Sequence, residues 1–167
     1  GLSKQQTQQR ALTLGAGERK EFSVDISHHE YCEQKQLAEV DGDAVYVYSP
    51  SMIICEKIRA ICQQMDEYRE IVLRDRAKPR ARDFFDIHHI CTQIDIDFSS
   101  DEFSQILHSI FAVKRVPIEL IQHITERRDL HREDFESVRA TVGAGQRVRS
   151  FDYYVDYLVT RLLDLKP

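Results

Sequence analysis

QLAEVDGDAVYVYSPSMIICEKIRAICQQM, residues 36 to 65, holds the change of period that decides the fold. Its first half alternates. Gln36 to Val40 and Ala44 to Tyr48 read as two strands, and Asp41-Gly42-Asp43 between them supplies the turn of a hairpin. Beyond Pro50 the apolar residues Ile53, Ile54, Ile58, Ile61 and Met65 recur at helical spacing, so a helix is expected over about 51–66. The switch from a period of two to one of 3.6 predicts an α+β protein, a small sheet fragment followed by helices.

Upstream, residues 19–27 also alternate. Phe22, Val24 and Ile26 fall on one side and Glu21, Ser23 and Asp25 on the other, as in a half-buried strand. Residues 1–18 are polar and Gln-rich with no sustained period, and are expected to be a flexible arm. Downstream the helical period persists, with helices expected at about 80–93, 101–113, 117–128, 132–142 and 151–165. Ser99 and Glu102 have capping-box spacing, Pro117 suits a first helical turn, and Gly143 and Gly145 suit a helix stop. The expected organisation is therefore an arm over 1–18, a sheet portion over 19–48 and a helical portion over 49–167. Phe103, Ile106, Leu107, Ile110 and Phe111 read as a core stripe, as do Phe151, Tyr154, Val155, Leu158 and Leu162. Tyr153 and Tyr157 fall off the second stripe and are left for a partner surface or for solvent.

Composition narrows the class. The 167 residues are 42% hydrophobic and 31% charged with a net charge of −5, values of an ordinary globular domain and not of a basic nucleic-acid coat. No run approaches the roughly 20 apolar residues of a membrane span, and the start has no apolar core of a secretory signal. Cys32, Cys55, Cys62 and Cys91 are widely spaced without a Cys-x-x-Cys pair, which fits reduced thiols better than zinc or disulfides. A cytoplasmic protein is the expectation. The chain begins with Gly1 rather than Met, as in a processed or cut protein.

Three charges break the pattern. Lys57 falls inside the apolar arc of the 51–66 helix, between Ile53 and Ile61. Its stem either snorkels to water or points a cation into a partly dry cleft. Asp83 has the opposite sign on the next helix, amid Ile87, Ile90 and Ile94 with Asp86 at the margin. An unpaired buried carboxylate costs several kcal/mol, so Asp83 needs a partner, and Lys57 is the obvious one. The pair is either a structural salt bridge or one wall of an active cleft. Asp25, on the polar side of its strand, faces either solvent or a metal site. Between the two helices runs REIVLRDRAKPRAR, residues 69–82, whose Arg69, Arg74, Arg76, Lys78, Arg80 and Arg82 outnumber Glu70 and Asp75. Such a run is either a solvated surface or a phosphate cradle. Asp95-Ile-Asp97 reads as a connecting loop, and the adjacent pairs His28-His29 and His88-His89 point apart and do not share a metal.

Tyr48-Ser-Pro-Ser-Met-Ile-Ile-Cys-Glu-Lys57-Ile-Arg-Ala resembles the strand-to-helix "EK-x-x-A" segment of AbiEii/AbiGii-like nucleotidyltransferases. Lys78-Pro-Arg-Ala-Arg-Asp83-Phe-Phe-Asp86-Ile resembles that family's following "R-D-x-x-D" helix. The resemblance covers roughly residues 19–95 and implies a DNA polymerase beta-like fold. It also implies magnesium-dependent transfer of a nucleoside monophosphate from a nucleoside triphosphate to an RNA (tRNA) or protein hydroxyl. Its biological setting would be a toxin–antitoxin or phage-defence system with an antitoxin partner. On it, Lys57 contacts the triphosphate, Asp83 orients Lys57 or assists deprotonation of the acceptor, Arg80 and Arg82 bind phosphate, and Asp25 is an accessory carboxylate near magnesium. The family's front motif, a Gly-Ser or Gly-Gly turn and an Asp-x-Asp strand, does not precede residue 19, and Gln63-Gln64 stands where relatives commonly have Arg. The chain is therefore expected to be the C-terminal portion of a longer enzyme or a degenerate homologue, inactive alone. The alternative class is a noncatalytic helical module that binds an antitoxin or another protein.

Overall fold

A computed structural model describes residues 26, 27, 29–71, 76–142 and 147–165. Strand β1 (Gln36–Val40) pairs antiparallel with β2 (Asp43–Val47), Gln36 opposite Val47 and Val40 opposite Asp43. The two-residue turn between them needs positive φ at both positions, and Asp41 and Gly42 have φ of 53° and 90°. Both faces of this hairpin are open to solvent. Leu37 is 65% and Tyr46 68% exposed.

Helix α1 (Pro50–Cys62) begins where Ser49 Oγ accepts from the Met52 N–H at 3.3 Å and Pro50 occupies the first turn, where its missing N–H costs nothing. Met52, Ile54, Cys55, Ile58, Ile61 and Cys62 are buried along it. The expected helix to residue 66 stops short, because Gln64 and Met65 turn back to bond the carbonyls of Ile61 and Cys62. A short helix that periodicity did not show, α2 (Asp66–Ile71), follows with Asp66 and Glu67 in its first turn. Six residues are too few to display a helical stripe. Gln63 and Gln64 lock this corner. Gln63 Nε2 donates to the Tyr68 hydroxyl, while Gln64 bonds both the Ala60 carbonyl and the Lys78 N–H.

Helix α3 (Ala81–Gln93) has no side-chain cap of its own. Its first free N–H groups are taken from across the fold, Arg80 N donating to His131 Nδ1 at 3.1 Å and Ala81 N to Asp134 Oδ1 at 3.2 Å. Helix α4 (Asp101–Val113) is capped by Ser100, which accepts from the Phe103 N–H, and not by Ser99 as the spacing predicts. Asp97 Oδ1 has captured both the Ser99 N–H and its hydroxyl, so the next serine is left to cap. Asp95–Asp97 is irregular chain, as expected of a loop.

After Pro117 the chain forms a 3-10 segment (Ile118–Arg127) where an α-helix is expected over 117–128. Ile118, Ile121 and Ile124 recur every three residues, a spacing that 3-10 winding stacks on one side, and Leu120 is buried with Ile124. Helix α5 (Arg128–Arg132) ends where the 132–142 helix is expected to begin, and α6 (Phe135–Thr141) takes up most of that region. Helix α7 (Phe151–Leu162), capped by Ser150 Oγ, closes the fold.

The core lies where α1 packs between α3 and α4 and α7 covers α3. Both core stripes are buried as read, with Leu162 half-buried at its margin. The arrangement is α+β, a small sheet followed by helices. Ile26 is exposed and, with Ser27, lies outside any strand, against the expectation for 19–27; the rest of that expected strand, with Asp25, lies outside the described residues, as do residues 1–18, Gly143 and Gly145. Cys55 and Cys62 are buried, Cys91 half-buried and Cys32 exposed, all as free thiols. Among the described residues no helix is long and apolar enough to cross a membrane.

Candidate functional site

Because α1 and α3 pack side by side, the one charge that each turns toward the other meets at their seam. The Lys57 ammonium donates to Asp83 Oδ1 at 2.9 Å and to Asp86 Oδ2 at 2.9 Å. One cation thus bridges two carboxylates three residues apart on α3, which that spacing sets on one helix face. The group is neither sealed nor fully solvated. The side chains of Lys57, Asp83 and Asp86 are 21%, 13% and 24% exposed. Burial alone would lower the lysine pKa, but the bonds to Asp86 and Asp83 outweigh it and hold the ammonium above its usual value. Lys57 is a cation throughout the physiological range.

Two arginines extend the centre. Arg82 Nε donates to Asp86 Oδ1 at 2.8 Å and its Nη1 to Thr141 Oγ1 at 2.7 Å, which pins the head of α3 to the end of α6. Arg80 Nη1 stands 3.7 Å from Asp83 Oδ2, an ion pair without a hydrogen bond. Asp83 Oδ2 and Arg80 Nε are both buried and accept or donate no hydrogen bond. An anionic oxygen arriving here would find Arg80 incompletely engaged.

His131 supports this corner from below. It is fully buried against the Phe84 ring, and its Nδ1 accepts the Arg80 N–H, so the proton of the neutral ring sits on Nε2. Burial, then the nearby Arg80 and Arg127 cations, push its pKa down to about 4.

The structure brings the sequence candidates Lys57, Asp83, Arg80 and Arg82 to one place. The rest of the basic run disperses: Arg69 pairs with Asp66, Lys78 is held through its backbone, and Arg74 lies outside the described residues. Asp25 also lies outside them. Asp86, His131, Asp134 and Thr141 were not singled out as site residues. Only Asp86 left a signal, the i, i+3 spacing from Asp83; the others arrive through long-range packing. An apolar cleft of about 340 Å³ bordered by Leu107, Ile118, Ile121 and Leu162 lies away from this centre and holds none of its charged groups.

His88 Nε2 lies 3.3 Å from the Tyr153 hydroxyl, and among the described residues no group of three or more His, Cys, Asp or Glu is placed to hold a metal ion.

Fold and site define an α+β protein with a lysine-dicarboxylate centre flanked by arginines at a two-helix seam. A family model described as "Nucleotidyl transferase AbiEii toxin, Type IV TA system" matches residues 2–157, nearly the whole chain and well beyond the 19–95 that carry the motifs. The chain belongs to this family. No curated protein and no solved structure matches it.

Proposed function

We propose that the Lys57–Asp83–Asp86 centre binds the phosphates of a nucleoside triphosphate, and that the protein is a toxin-like nucleotidyltransferase delivering a nucleoside monophosphate to an RNA or protein hydroxyl. The observation that carries this reading is the Lys57 ammonium held 2.9 Å from both carboxylates, with Arg80 and Arg82 beside it. Family membership supports the reaction class, and the type IV toxin–antitoxin description supports an antitoxin as partner.

In the reaction the acceptor oxygen bonds to the α-phosphorus while the bond from that phosphorus to the bridging oxygen breaks, and pyrophosphate leaves with the negative charge. Lys57 neutralises that charge from a fixed position, which costs no reorganisation as it develops. Asp83 and Asp86 hold the ammonium in place, and Arg80, whose guanidinium lacks a hydrogen bond to Asp83, turns to phosphate. The hydroxyl proton passes to a base, for which Asp83 is the candidate carboxylate on this centre.

Magnesium, which the resemblance implies, does not fit the described residues. Asp83 and Asp86 are both committed to an ammonium, and among the described residues no third ligand stands with them. Asp25, the carboxylate expected near the metal, lies outside the described residues.

The test is binding of a fluorescent nucleoside triphosphate to wild type and Lys57→Gln, with transfer of label from the α-phosphate to RNA or protein as a second readout. Loss of one fixed cation from a polyphosphate site is expected to weaken binding about tenfold or more. Equal affinity in the two proteins removes Lys57 from the site and leaves the noncatalytic interaction module as the better reading.

A further inference from the structure

The chain has seven tyrosines, and their hydroxyls meet different fates. Tyr31, Tyr68 and Tyr154 are buried, Tyr68 donating to the Lys114 carbonyl and Tyr154 accepting the Arg149 N–H. Burial, Cys32 and Glu30 push the Tyr48 phenol up to about 12, and burial and Cys91 push Tyr157 up to about 12. Neither gives up its proton readily near neutral pH. Tyr46 is 68% exposed, but among the described residues no base is bonded to its hydroxyl. Tyr153 differs from all of these. It is 41% exposed, and its hydroxyl lies 3.3 Å from His88 Nε2.

His88 is held ready to take that proton. It stands half-buried among the rings of Tyr153, Tyr154 and Tyr157, at centroid distances of 5.3, 5.2 and 4.8 Å. Burial, then His89 and Arg149, keep its pKa below the usual value, so the ring is neutral at physiological pH. With its own proton on Nδ1, Nε2 offers a lone pair to the phenol. The exposed Arg149 guanidinium lies over the Tyr153 ring at 5.4 Å, and among the described residues no carboxylate pairs with it. A cation there favours the phenolate as the proton leaves, and it can then pair with a phosphate carried on the same oxygen.

This hydroxyl does not face the charged centre of its own molecule. Asp83 and His88 are about 140° apart around α3, the first bonded to Lys57 on α1 and the second packed on Tyr153 and Tyr154 of α7. We propose that Tyr153 is a modification site, its hydroxyl taking a nucleoside monophosphate at the Lys57 centre of a second copy of this chain, with His88 as the base. This rests on the nucleotidyl-transfer reading and makes the chain itself a protein acceptor. Tyr153 Oη bonds to the α-phosphorus, the bond from that phosphorus to the bridging oxygen breaks, and pyrophosphate leaves with the electron pair. The phenol proton passes to His88 Nε2 and from there to water.

The test incubates the full chain with magnesium chloride and each nucleoside triphosphate labelled in its α-phosphate, and locates the label by peptide mass spectrometry. Alone, Lys57→Gln lacks a donor centre and Tyr153→Phe lacks the acceptor, so neither is expected to carry label at position 153. A mixture of the two is expected to label Lys57→Gln at Tyr153. His88→Gln is expected to be labelled about a hundredfold more slowly than wild type. N-acetylimidazole needs no triphosphate and reads the hydroxyl alone. It is expected to acetylate Tyr153 faster than the more exposed Tyr46 in wild type, and slower in His88→Gln. The proposal is overturned if Tyr153→Phe takes as much label as wild type, if the mixture stays unlabelled at Tyr153, or if Tyr153 is acetylated no faster than Tyr46. Any of these results beside triphosphate binding by wild type leaves the transfer reading standing. Wild type that neither binds triphosphate nor takes label sinks both.

Discussion

Acid should loosen the protein through one residue. His131 is buried and neutral, with a pKa pushed from 6.5 down to about 4 by burial and by Arg80 and Arg127. The unfolded chain binds a proton at this histidine below about pH 6.5. The native state resists it until about pH 4, because a protonated ring would set two donors against each other at the Arg80 N–H. In that window the unfolded state binds more protons, so stability is full above about pH 6.5 and falls as the pH drops. A pKa difference of this size corresponds to a loss of about 3 kcal/mol by pH 4. Native carboxylates such as Asp152, whose pKa its hydrogen bond from Arg128 lowers, act in the same direction, so a reference protein is needed. His131→Phe keeps a ring beside Phe84 and cannot titrate. It should be less stable near neutral pH by about 1–3 kcal/mol, since the buried Arg80 N–H loses its acceptor, but its stability should decline less steeply with acid. Urea unfolding followed by circular dichroism from about pH 7.5 to about pH 4 gives both curves. Parallel curves for wild type and His131→Phe would refute the assignment of this acid sensitivity to His131.

Two smaller perturbations check the local architecture. Ser100→Ala should cost about 1 kcal/mol of stability in urea unfolding and Ser99→Ala less, because only Ser100 accepts from a free N–H of α4; a larger loss at Ser99 would restore the cap to the position that spacing suggests. Gln64→Leu leaves the Lys78 N–H without its acceptor and should cost about 1–3 kcal/mol, and a melting temperature equal to wild type would show that this joint does not hold the loop before α3.

The parts of this molecule that could be read from its sequence are those fixed by neighbours along the chain. The hairpin turn needs Asp41 and Gly42 at positive φ, and the apolar stripes of α1, α4 and α7 follow from spacing. Lys57 and Asp83 were legible as exceptions to such stripes. What escaped was fixed by contacts distant in sequence. The head of α3 is capped by His131 and Asp134, fifty residues further on, so nothing beside Arg80 announces it. The 3-10 winding of 118–127 was hidden because its threefold isoleucine spacing also satisfies a helical template within a single turn. Ser99 misled because a capping box describes spacing alone, whereas Asp97 had a prior hold on that hydroxyl.

The charge balance at the α1–α3 seam bears on why the lysine is there. A buried ion pair is a weak source of stability, and well-packed apolar side chains in its place are often neutral or better. The two helices otherwise bury Met52, Ile54, Ile58, Phe84 and Ile87, so folding alone would be served by one more aliphatic group. A purely structural pair would also match one cation with one acid and satisfy both. Here three cations, Lys57, Arg80 and Arg82, share two carboxylates, and Asp83 Oδ2 still stays buried beside Arg80 with no hydrogen bond. Such underuse costs stability in the free protein. On the proposed reading it is offset when a chain of phosphates supplies an oxygen to Arg80 and a negative charge to Lys57. The same reasoning explains why Arg82 is fastened at both ends, to Asp86 and to Thr141, while Arg80 is not. On the proposed reading the fastened arginine fixes where the carboxylates stand, and Arg80 is the one that closes on phosphate.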